Sequence, residues 1–475
     1  MLVSLICNIK GFVMFYISLS DIFFGYDSTN SLFDGVSIVF NDSDKVAIIG
    51  DNGCGKTTML KLLAGDILPD SGDVVRNASI YMVKQINVAD SKSGGEQQSY
   101  ELARAFDSQA QILLLDEPTN NLDFDARQKF FTDLSMYPFG AVIVSHDREL
   151  LQQMDKILEI SNGHIKIYGG NYDFYVTQKN AEQENMYSKY IDAQKEIGRL
   201  NNTLNIAQNT RQHHEAKQKK NMKNGKRSRL AANALKGKSQ ETEAKKRAII
   251  QKKLEEQLQI QQSLTDKMHD DKIKIPVPNK SFYSKELIQI KSLSFAYGDN
   301  KIFDDFDFTM YGGMRIRLMG KNGAGKTTLL KIIRGDLKAN GGTVKTFGKI
   351  AYLNQDLSVL DKNKTMVENI MDIANVLKHD AHAIAANFGF RGKDAMKTAD
   401  VLSGGELLKA TLAAVLGGTE QPDLLILDEP TNNLEIKSIS ILEDALNQYR
   451  GAILLVSHDE MFAKNIKVDT EIKIA

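Results

Sequence analysis

The sequence predicts an α/β fold that occurs twice along the chain, with a helical hairpin between the two copies. A glycine-rich loop that follows an apolar strand and opens a helix occurs at Gly50–Thr58 and again at Gly320–Thr328. Further motifs follow each loop in the same order. Between the copies lies a polar, charged segment, residues 180–272, that contains no proline and suits long helices. The length of 475 residues is consistent with about three domains.

Both loops fit the pattern G-x-x-x-x-G-K-[ST], in which backbone N–H groups curl around phosphate oxygens. Glycines permit this path because they carry no Cβ, and the N-terminus of the following helix attracts the anion. The lysine of such a loop reaches the β- and γ-phosphates, and the threonine after it offers a hydroxyl to Mg²⁺. We therefore expect nucleotide binding at two sets of loop residues: Gly50, Asp51, Asn52, Gly53, Cys54, Gly55, Lys56, Thr57 and Thr58, and Gly320, Lys321, Asn322, Gly323, Ala324, Gly325, Lys326, Thr327 and Thr328.

The spacing of the later motifs shows how the two copies correspond. The phosphate loops, and the glutamines that end a short strand, Gln85 and Gln355, recur 270 residues apart. The sequence Ser-Gly-Gly-Glu recurs 310 residues apart, from Ser93 and from Ser403. The sequences Asp-Glu-Pro-Thr-Asn-Asn-Leu and Val-Ser-His-Asp recur 312 residues apart. The first copy therefore lacks about 40 residues between its glutamine and its Ser-Gly-Gly-Glu sequence.

The composition is that of a globular protein, with 42% hydrophobic residues, 25% charged residues and a formal net charge of zero. Two cysteines, Cys7 and Cys54, are too few for a disulfide framework, which favours a reducing compartment. Residues 1–19 are apolar, but Lys10 and Gly11 interrupt them, so the segment is short for a membrane helix. Comparison of the two copies instead predicts a strand at residues 15–20 and a natural start at Met14.

Each copy contains, in order, the motif set of an ATP-binding cassette. An aromatic residue, Tyr26 or Tyr297, precedes the phosphate loop; the glutamine, the Ser-Gly-Gly-Glu signature, the Asp-Glu-Pro motif and the Val-Ser-His-Asp motif follow it. Tandem cassettes with a long charged linker resemble the ABC-F family, whose members are ATPases that act on the ribosome. The first copy resembles the antibiotic-resistance, ribosomal-protection type most. The resemblance implies two P-loop NTPase cassette domains joined by an α-helical coiled-coil hairpin.

The resemblance also implies roles for individual residues. Glu117 and Glu429 would polarise the attacking water as catalytic carboxylates, and His146 and His458 would contact the γ-phosphate. The two aromatic residues before the loops would stack on adenine. Mg²⁺ would be held with the nucleotide by Thr57, Gln85, Asp116, Thr327, Gln355 and Asp428.

In this family two cassettes close head to tail, so that the signature of one caps the γ-phosphate bound by the other. The first phosphate loop would then pair with Ser403, Gly404 and Gly405, and the second with Ser93, Gly94 and Gly95. The chain departs from the family pattern at two positions: Lys92 stands where the second copy has Leu402, and Glu435 stands where the first copy has Asp123. Each composite site thus has one irregular element, while the catalytic residues are intact in both.

The linker sequence predicts two antiparallel helices with a basic tip. Apolar residues of the outgoing arm recur at the three- and four-residue spacing of a heptad seam, at Met186, Tyr190, Ala193, Ile197, Leu200, Leu204 and Ala207. A looser stripe marks the return arm, at Ile250, Leu254, Leu258, Leu264 and Met268. Between Arg211 and Gln240 there are ten Lys or Arg residues, one Glu and no aromatic residue. This charge of +9 favours contact with the backbone of structured RNA.

We therefore expect three domains: a first cassette at residues 1–178, the hairpin at 179–280 and a second cassette at 281–475. The predicted function is an ABC-F ATPase that hydrolyses ATP with Mg²⁺ at two composite sites and drives the hairpin on and off the ribosome. Its partner would be rRNA, with tRNA as a further candidate, and the protein would act as a translation factor or in antibiotic resistance. We expect a cytoplasmic monomer without a membrane partner. Two alternatives are the ATPase subunit of an ABC transporter and a DNA-associated cassette ATPase.

Overall fold

The computed structural model describes residues 15–26, 31–85, 94–120, 122–161, 163–223, 229–267, 273–276, 285–354, 359–432 and 434–474. Several residues singled out from the sequence lie outside the described residues: Cys7, Lys10, Gly11, Met14, Lys92, Ser93, Met268 and Gln355. The same holds for the side chains at 211–212, 214–244 and 265–267, which include every Lys and Arg of the basic tip.

The first copy contains two sheets and the helices packed on them. Its strands are β1 (Tyr16–Phe24), β2 (Phe33–Asn41), β3 (Lys45–Gly50), β4 (Ser71–Asn77), β5 (Ile80–Val83), β6 (Ile112–Asp116), β7 (Gly140–Val144), β8 (Lys156–Ser161) and β9 (His164–Gly169). Its helices are α1 (Lys56–Ala64), α2 (Gly94–Asp107), α3 (Phe124–Met136) and α4 (Arg148–Gln152). One sheet is antiparallel, in the order β2-β1-β4, and the other has the order β5-β6-β7-β3-β8-β9. Strands β5 to β8 of the second sheet pair in parallel.

After the hairpin helices α5 (Tyr172–Lys223) and α6 (Arg229–Lys267), the second copy repeats this plan. Its strands are β10 (Glu286–Tyr297), β11 (Asn300–Tyr311), β12 (Arg315–Met319), β13 (Gly341–Thr346), β14 (Ile350–Leu353), β15 (Leu424–Asp428), β16 (Ala452–Val456) and β17 (Thr470–Lys473). Its helices are α7 (Lys326–Arg334), α8 (Met366–Ala374), α9 (Lys378–Asn387), α10 (Gly404–Leu416), α11 (Ile436–Gln448) and α12 (Glu460–Asn465). The sheets have the orders β11-β10-β13 and β14-β15-β16-β12-β17. The predicted α/β fold with two cassettes is confirmed.

The central strands have the uninterrupted apolar sequences of parallel strands that are covered on both faces. Every residue of β6 and β7 is buried, and so is every residue of β16. Burying a Leu or Ile side chain contributes about 1.5–3 kcal/mol. Strands β6, β7 and β3 are parallel neighbours, so their carboxyl ends meet at one edge of the sheet. The phosphate loop, the Asp-Glu-Pro motif and the Val-Ser-His-Asp motif all leave the sheet at that edge.

The two copies differ most between the glutamine and the signature helix. In the second copy this interval contains α8 and α9, which pack into the hydrophobic core through Met366, Ile370 and Phe388. Thr365 caps α8 and forms a reciprocal capping box with Glu368. In the first copy only eight residues, 86–93, separate Gln85 from α2. The shortening deduced from the repeat spacing therefore removes a helical layer, while the nucleotide-binding sheet is kept.

The hairpin residues Val176–Asp270 form a compact unit distinct from the rest of the chain. On α5 the predicted seam is the shielded face: Ala193 and Leu200 are buried, and the other seam residues up to Leu204 are half-buried. Ala207, also assigned to the seam, is exposed. None of the described helices combines the length and apolarity needed to cross a membrane.

The predicted stripe on α6 is wrong in one respect. Leu258 is 45% exposed, whereas Gln257 and Gln261 on either side are half-buried. The shielded residues of α6 recur regularly at three- and four-residue intervals: Arg247, Ile250, Leu254, Gln257, Gln261 and Leu264. Choosing apolar residues alone missed this register, because the shielded face of α6 also contains polar residues, among them Gln257 and Gln261.

Candidate functional site

Each predicted phosphate loop connects the end of a central strand to a helix, β3 to α1 and β12 to α7. The helix-capping glycines Gly55 and Gly325 have φ angles of 104° and 97°, in the left-handed region that other residues avoid. At Gly55, a Cβ would also lie 2.9 Å from the Leu32 side chain. Only glycine can therefore occupy these positions without strain, and the helix N-terminus is left open toward a ligand.

The lysine of each loop is held over the loop by its own backbone carbonyls. Lys56 Nζ donates to the carbonyl oxygens of Gly50 and Asp51, at 2.7 and 3.2 Å. Lys326 Nζ donates to those of Gly320 and Lys321, at 2.6 and 3.0 Å. Both ammonium groups are thus held at the loop that is predicted to bind phosphate.

The predicted metal ligands in the first copy fit a hard cation. The carboxyl of Asp116 ends β6 and forms a hydrogen bond with the Thr57 side chain, and Gln85 lies at the same cleft. Burial raises the pKa of Asp116, while Thr57 and the charge of Lys56 act in the opposite direction. A hydroxyl beside a carboxylate is an oxygen donor set that Mg²⁺ prefers, with nucleotide phosphates and water completing its coordination.

The second copy has a different neighbour at this position. Asp428 Oδ2 accepts a hydrogen bond of 3.1 Å from the Tyr352 hydroxyl, and burial raises the pKa of Asp428. Thr327 lines the cleft beside it, and the other predicted ligand, Gln355, lies outside the described residues. Among the residues that the structure describes, no group of three or more His, Cys, Asp or Glu side chains converges as a metal site.

The predicted catalytic carboxylates have the same unusual geometry in both copies. Glu117 and Glu429 follow β6 and β15 directly, and each has a φ of 47°. Glu117 Oε1 lies 3.7 Å from His146 Nε2, and Glu429 Oε1 lies 3.4 Å from His458 Nε2. The structure therefore brings each carboxylate and histidine together at the end of adjacent parallel strands.

Burial changes the protonation of these pairs. It raises the pKa of Glu117 to about 8 and that of Glu429 to about 7. Burial together with the nearby loop lysine lowers the pKa of His146 to about 3 and that of His458 to about 4. The histidines are therefore neutral at physiological pH, while the carboxyl groups titrate near it, which is where a general base is most effective.

The predicted adenine-stacking residues are exposed at the mouth of the cleft. Tyr26 is 66% exposed and Tyr297 is 50% exposed. Each ring packs edge-on against a phenylalanine two residues earlier, Phe24 at 5.1 Å and Phe295 at 4.9 Å. The Tyr26 hydroxyl also lies 3.1 Å from Thr58 Oγ1. Supported, exposed faces of this kind are available for stacking.

The two copies face one another across a shared cleft of about 1280 Å³, which both phosphate loops line. A Cβ at Gly404 would lie 3.9 Å from Asn52 Nδ2, so α10 begins directly opposite the first phosphate loop. Ser403 caps α10 in a reciprocal capping box with Glu406. On the other side, Gly94 and Gly95 begin α2, and Gly95 lines the same cleft as the second phosphate loop. Ser93 lies outside the described residues.

Several contacts across this cleft involve residues that the sequence did not identify as part of the site. Asn52 N donates to Glu435 Oε1 at 2.5 Å, and Lys437 Nζ donates to Asp51 Oδ1 at 3.0 Å. Glu435 was noted only as a departure from the family pattern. Asp123, its counterpart in the first copy, instead caps its own helix by accepting from Ala126 N. The extra methylene of Glu435 is what allows its carboxylate to reach the opposite loop.

A second group of cross-copy contacts lies beside the histidines that are predicted to be catalytic. Arg127 is buried, and its guanidinium donates to both carboxylate oxygens of Asp147 and to the carbonyl oxygen of His458. Arg148 Nη2 donates to Glu443 Oε1 at 2.5 Å. Arg127, Arg148 and Glu443 belong to no short motif. Only a comparison of equivalent positions in the two copies would have singled them out.

Comparisons with known proteins agree with this geometry. A family model described as ABC transporter matches residues 33–92, 83–120 and 303–432. The chain is 32% identical over 452 residues to the erythromycin resistance ATP-binding protein MsrA of Staphylococcus epidermidis, covering 89% of this chain and 90% of that protein. It is 28% identical to the ribosome protection protein VmlR of Bacillus subtilis, covering 91% and 82%. A solved structure of RNase-L inhibitor has a similar fold, with a TM-score of 0.57, 16% identity and coverage of 95% and 87%.

Proposed function

Because this chain belongs to the ABC-F family of tandem ATP-binding cassette ATPases, we propose that it uses ATP turnover to drive a basic helical hairpin on and off the ribosome. Binding of ATP at both composite sites would close the cassettes, and hydrolysis would release them. The observation that carries the proposal is a pair of long helices, α5 and α6, whose connecting region has a sequence charge of +9 in a chain of net charge zero. Resemblance to a ribosome protection protein supports the same partner.

At each site the chain's own residues have separable tasks in this proposal. Lys56 and Lys326 bind the β- and γ-phosphates, and Tyr26 and Tyr297 stack on adenine. The aspartates that end β6 and β15, with the loop threonines, orient the Mg²⁺ that accompanies ATP, and that ion would neutralise phosphate charge. Ser403, Gly404 and Gly405, and their counterparts in the first copy, cap the γ-phosphate from across the cleft.

Hydrolysis is assigned to the carboxylate and histidine at the strand ends. Glu117 or Glu429 accepts a proton from the attacking water, and such positioned acceptance contributes roughly 10²–10⁴-fold to the rate. His146 or His458, neutral at physiological pH, donates its ring N–H to the γ-phosphate without adding charge. The shared cleft excludes bulk water once the cassettes close, which strengthens every polar contact inside it.

The first test is a trap for the closed state. Changing both Glu117 and Glu429 to Gln removes the proton acceptors but keeps their size, so ATP should bind and remain uncleaved. We expect this double variant to co-sediment with ribosomes in Mg-ATP and to dissociate when ATP is omitted. Its failure to co-sediment with ribosomes in ATP would contradict the proposal. Pull-down of a membrane protein without rRNA would favour the transporter subunit instead.

The second test concerns the charges at the hairpin tip. In the trapped variant, changing Arg229, Lys236 and Lys238 to Gln should weaken ribosome binding and reduce the log–log salt slope by about 3, because three phosphate contacts are lost. A matched control changes Lys246, Lys252 and Lys253, which lie on the exposed surface of α6 nearer the cassettes. An equal loss of binding in the two triple variants would argue against contact by the tip.

Two further measurements separate the remaining alternatives. Duplex DNA should compete with ribosomes poorly for the full chain; strong competition would favour a DNA-associated ATPase. We also propose a cytoplasmic location and a monomeric state. Drug susceptibility of cells with and without the gene, across antibiotics that bind the peptidyl-transferase region, distinguishes a resistance protein from a general translation factor.

A further inference from the structure

Two ion pairs across the cleft occupy equivalent positions in the two copies, with their charges exchanged. Lys437 Nζ lies 3.0 Å from Asp51 Oδ1. Lys321 Nζ lies 3.6 Å from Asp125 Oδ2. The 270-residue and 312-residue offsets between the copies make Lys321 the counterpart of Asp51, and Lys437 the counterpart of Asp125. The same two positions therefore form an ion pair twice. In one pair the phosphate loop carries the acid and the helix of the opposite copy the base; in the other pair the charges are reversed.

A third ion pair is buried and occurs only once. Arg148 lies in the first copy and Glu443 in the second, 2.5 Å apart, with side chains 4% and 11% exposed. By the same offset, the counterpart of Arg148 is Glu460 and that of Glu443 is Phe131. The pseudo-symmetric position thus holds an acid and an aromatic ring in place of an ion pair.

We propose that these charges make the first cassette complementary to the second cassette of the chain and incompatible with a cassette of its own kind. Pairing of two first cassettes would set Asp51 opposite Asp125 and leave Arg148 facing Phe131. Pairing of two second cassettes would set Lys321 opposite Lys437 and Glu443 opposite Glu460. Every like-with-like combination therefore opposes equal charges, and the closed contact accepts only unlike halves.

The three ion pairs differ in how strongly each one affects the pairing equilibrium of the cassettes. An exposed ion pair changes a pairing equilibrium by about twofold to fivefold. Removing one partner of a buried pair leaves an uncompensated charge and changes the equilibrium by more than about a hundredfold. The Arg148–Glu443 pair therefore supplies most of the selection, and the two exchanged pairs add to it. Electrostatic complementarity of this kind suppresses incorrect partners as much as it strengthens the correct one.

The test is a charge-exchange cycle on the full chain, with the release rate of ATPγS and Mg²⁺ as the measure of closure. Arg148→Glu installs the residue that the second copy has at this position and opposes two acids, so release should accelerate at least tenfold. Arg148→Glu combined with Glu443→Arg restores the pair with its direction reversed and should return release to within about threefold of the unchanged chain. A double variant that releases the nucleotide as fast as the single variant would overturn the proposal.

The exposed pair gives a second cycle that does not depend on a buried substitution. Lys437→Asp should accelerate release by about twofold to fivefold. Adding Asp51→Lys should reverse that effect, since the second phosphate loop already contains Lys at this position. Asp444→Lys, an exposed charge change on the same helix, is the control and should leave release unchanged. The absence of recovery in the exchanged double variant would contradict the role assigned to this pair.

Whether two chains can pair through their first cassettes is tested by measuring the molar mass of the protein in solution. Asp125→Lys removes the like-charge opposition between two first cassettes, because its ammonium would face Asp51 of another chain, and it opposes Lys321 within its own chain; the unpaired Arg148 remains. Light scattering in ATPγS should give a dimer fraction at least about threefold above that of the unchanged chain. An unchanged dimer fraction at the highest concentration would contradict the contribution of the exposed charge pairs to the exclusion of like halves.

Discussion

Glu117 and Glu429 are held in a backbone conformation that few glutamates adopt. Their φ of 47° lies in the left-handed region, which costs of order 1–3 kcal/mol for a residue with a Cβ. Each turn is fixed by a hydrogen bond from the glutamate N–H to the last residue of the neighbouring strand, Val144 or Val456. The strain therefore places the carboxylate at the strand end, beside the histidine. It recurs in both copies with the same φ, which points to a requirement of the site.

The pKa values of these carboxylates predict a pH dependence. A proton acceptor must be ionised, so kcat/KM for Mg-ATP should rise with pH through the range of about 7 to 8. Glu117→Gln leaves only Glu429, whose pKa is lower, and Glu429→Gln leaves only Glu117. We expect the acid limb of the Glu117→Gln variant to lie at lower pH than that of the Glu429→Gln variant. Superimposable profiles would contradict the assignment of these residues as bases.

At the scale of single elements, α6 allows a matched comparison of two leucines one turn apart. Leu254 is half-buried on the shielded face, whereas Leu258 is 45% exposed. Leu254→Lys should destabilise the hairpin by about 2 kcal/mol, because a charge replaces a covered apolar side chain. Leu258→Lys should change its stability by less than about 0.5 kcal/mol. Thermal unfolding followed by helical circular dichroism measures both; equal losses would show that the register is wrong.

The sequence was sufficient to predict the elements that are marked by a short local pattern and occur in both copies. The apolar runs that precede the two Asp-Glu-Pro motifs coincide with β6 and β15, and the loop glycines mark where α1 and α7 begin. The register of α6 was not predictable from apolar residues alone, because its shielded face also includes the half-buried Gln257 and Gln261. The contact between Glu435 and Asn52 was also missed, since residues 383 positions apart carry no local pattern.

At the scale of the whole molecule, Arg127 contacts both copies, and we expect its replacement to lower the free energy of unfolding strongly. Arg127→Met would leave Asp147 and Glu149, which lie 2.7 Å from its guanidinium, without this cation. It would also remove a hydrogen-bond donor from the His458 carbonyl oxygen. Breaking such a buried network costs about 3–5 kcal/mol, so the unfolding midpoint in urea should fall markedly. Arg104→Met, on an exposed i,i+3 pair with Glu101, is the control and should cost under about 1 kcal/mol. Comparable losses in the two variants would argue against the network.

The unpaired counterpart of the Arg148–Glu443 contact has a consequence for how such a chain can diverge. Duplicated halves that began alike could exchange freely between neighbouring polypeptides, whereas these halves cannot. A substitution at Glu443 is tolerable only together with one at Arg148, so these two positions of the chain must change together. Chimaeras that graft the second half of a relative onto this first half should then fail whenever the grafted half brings a base to position 443.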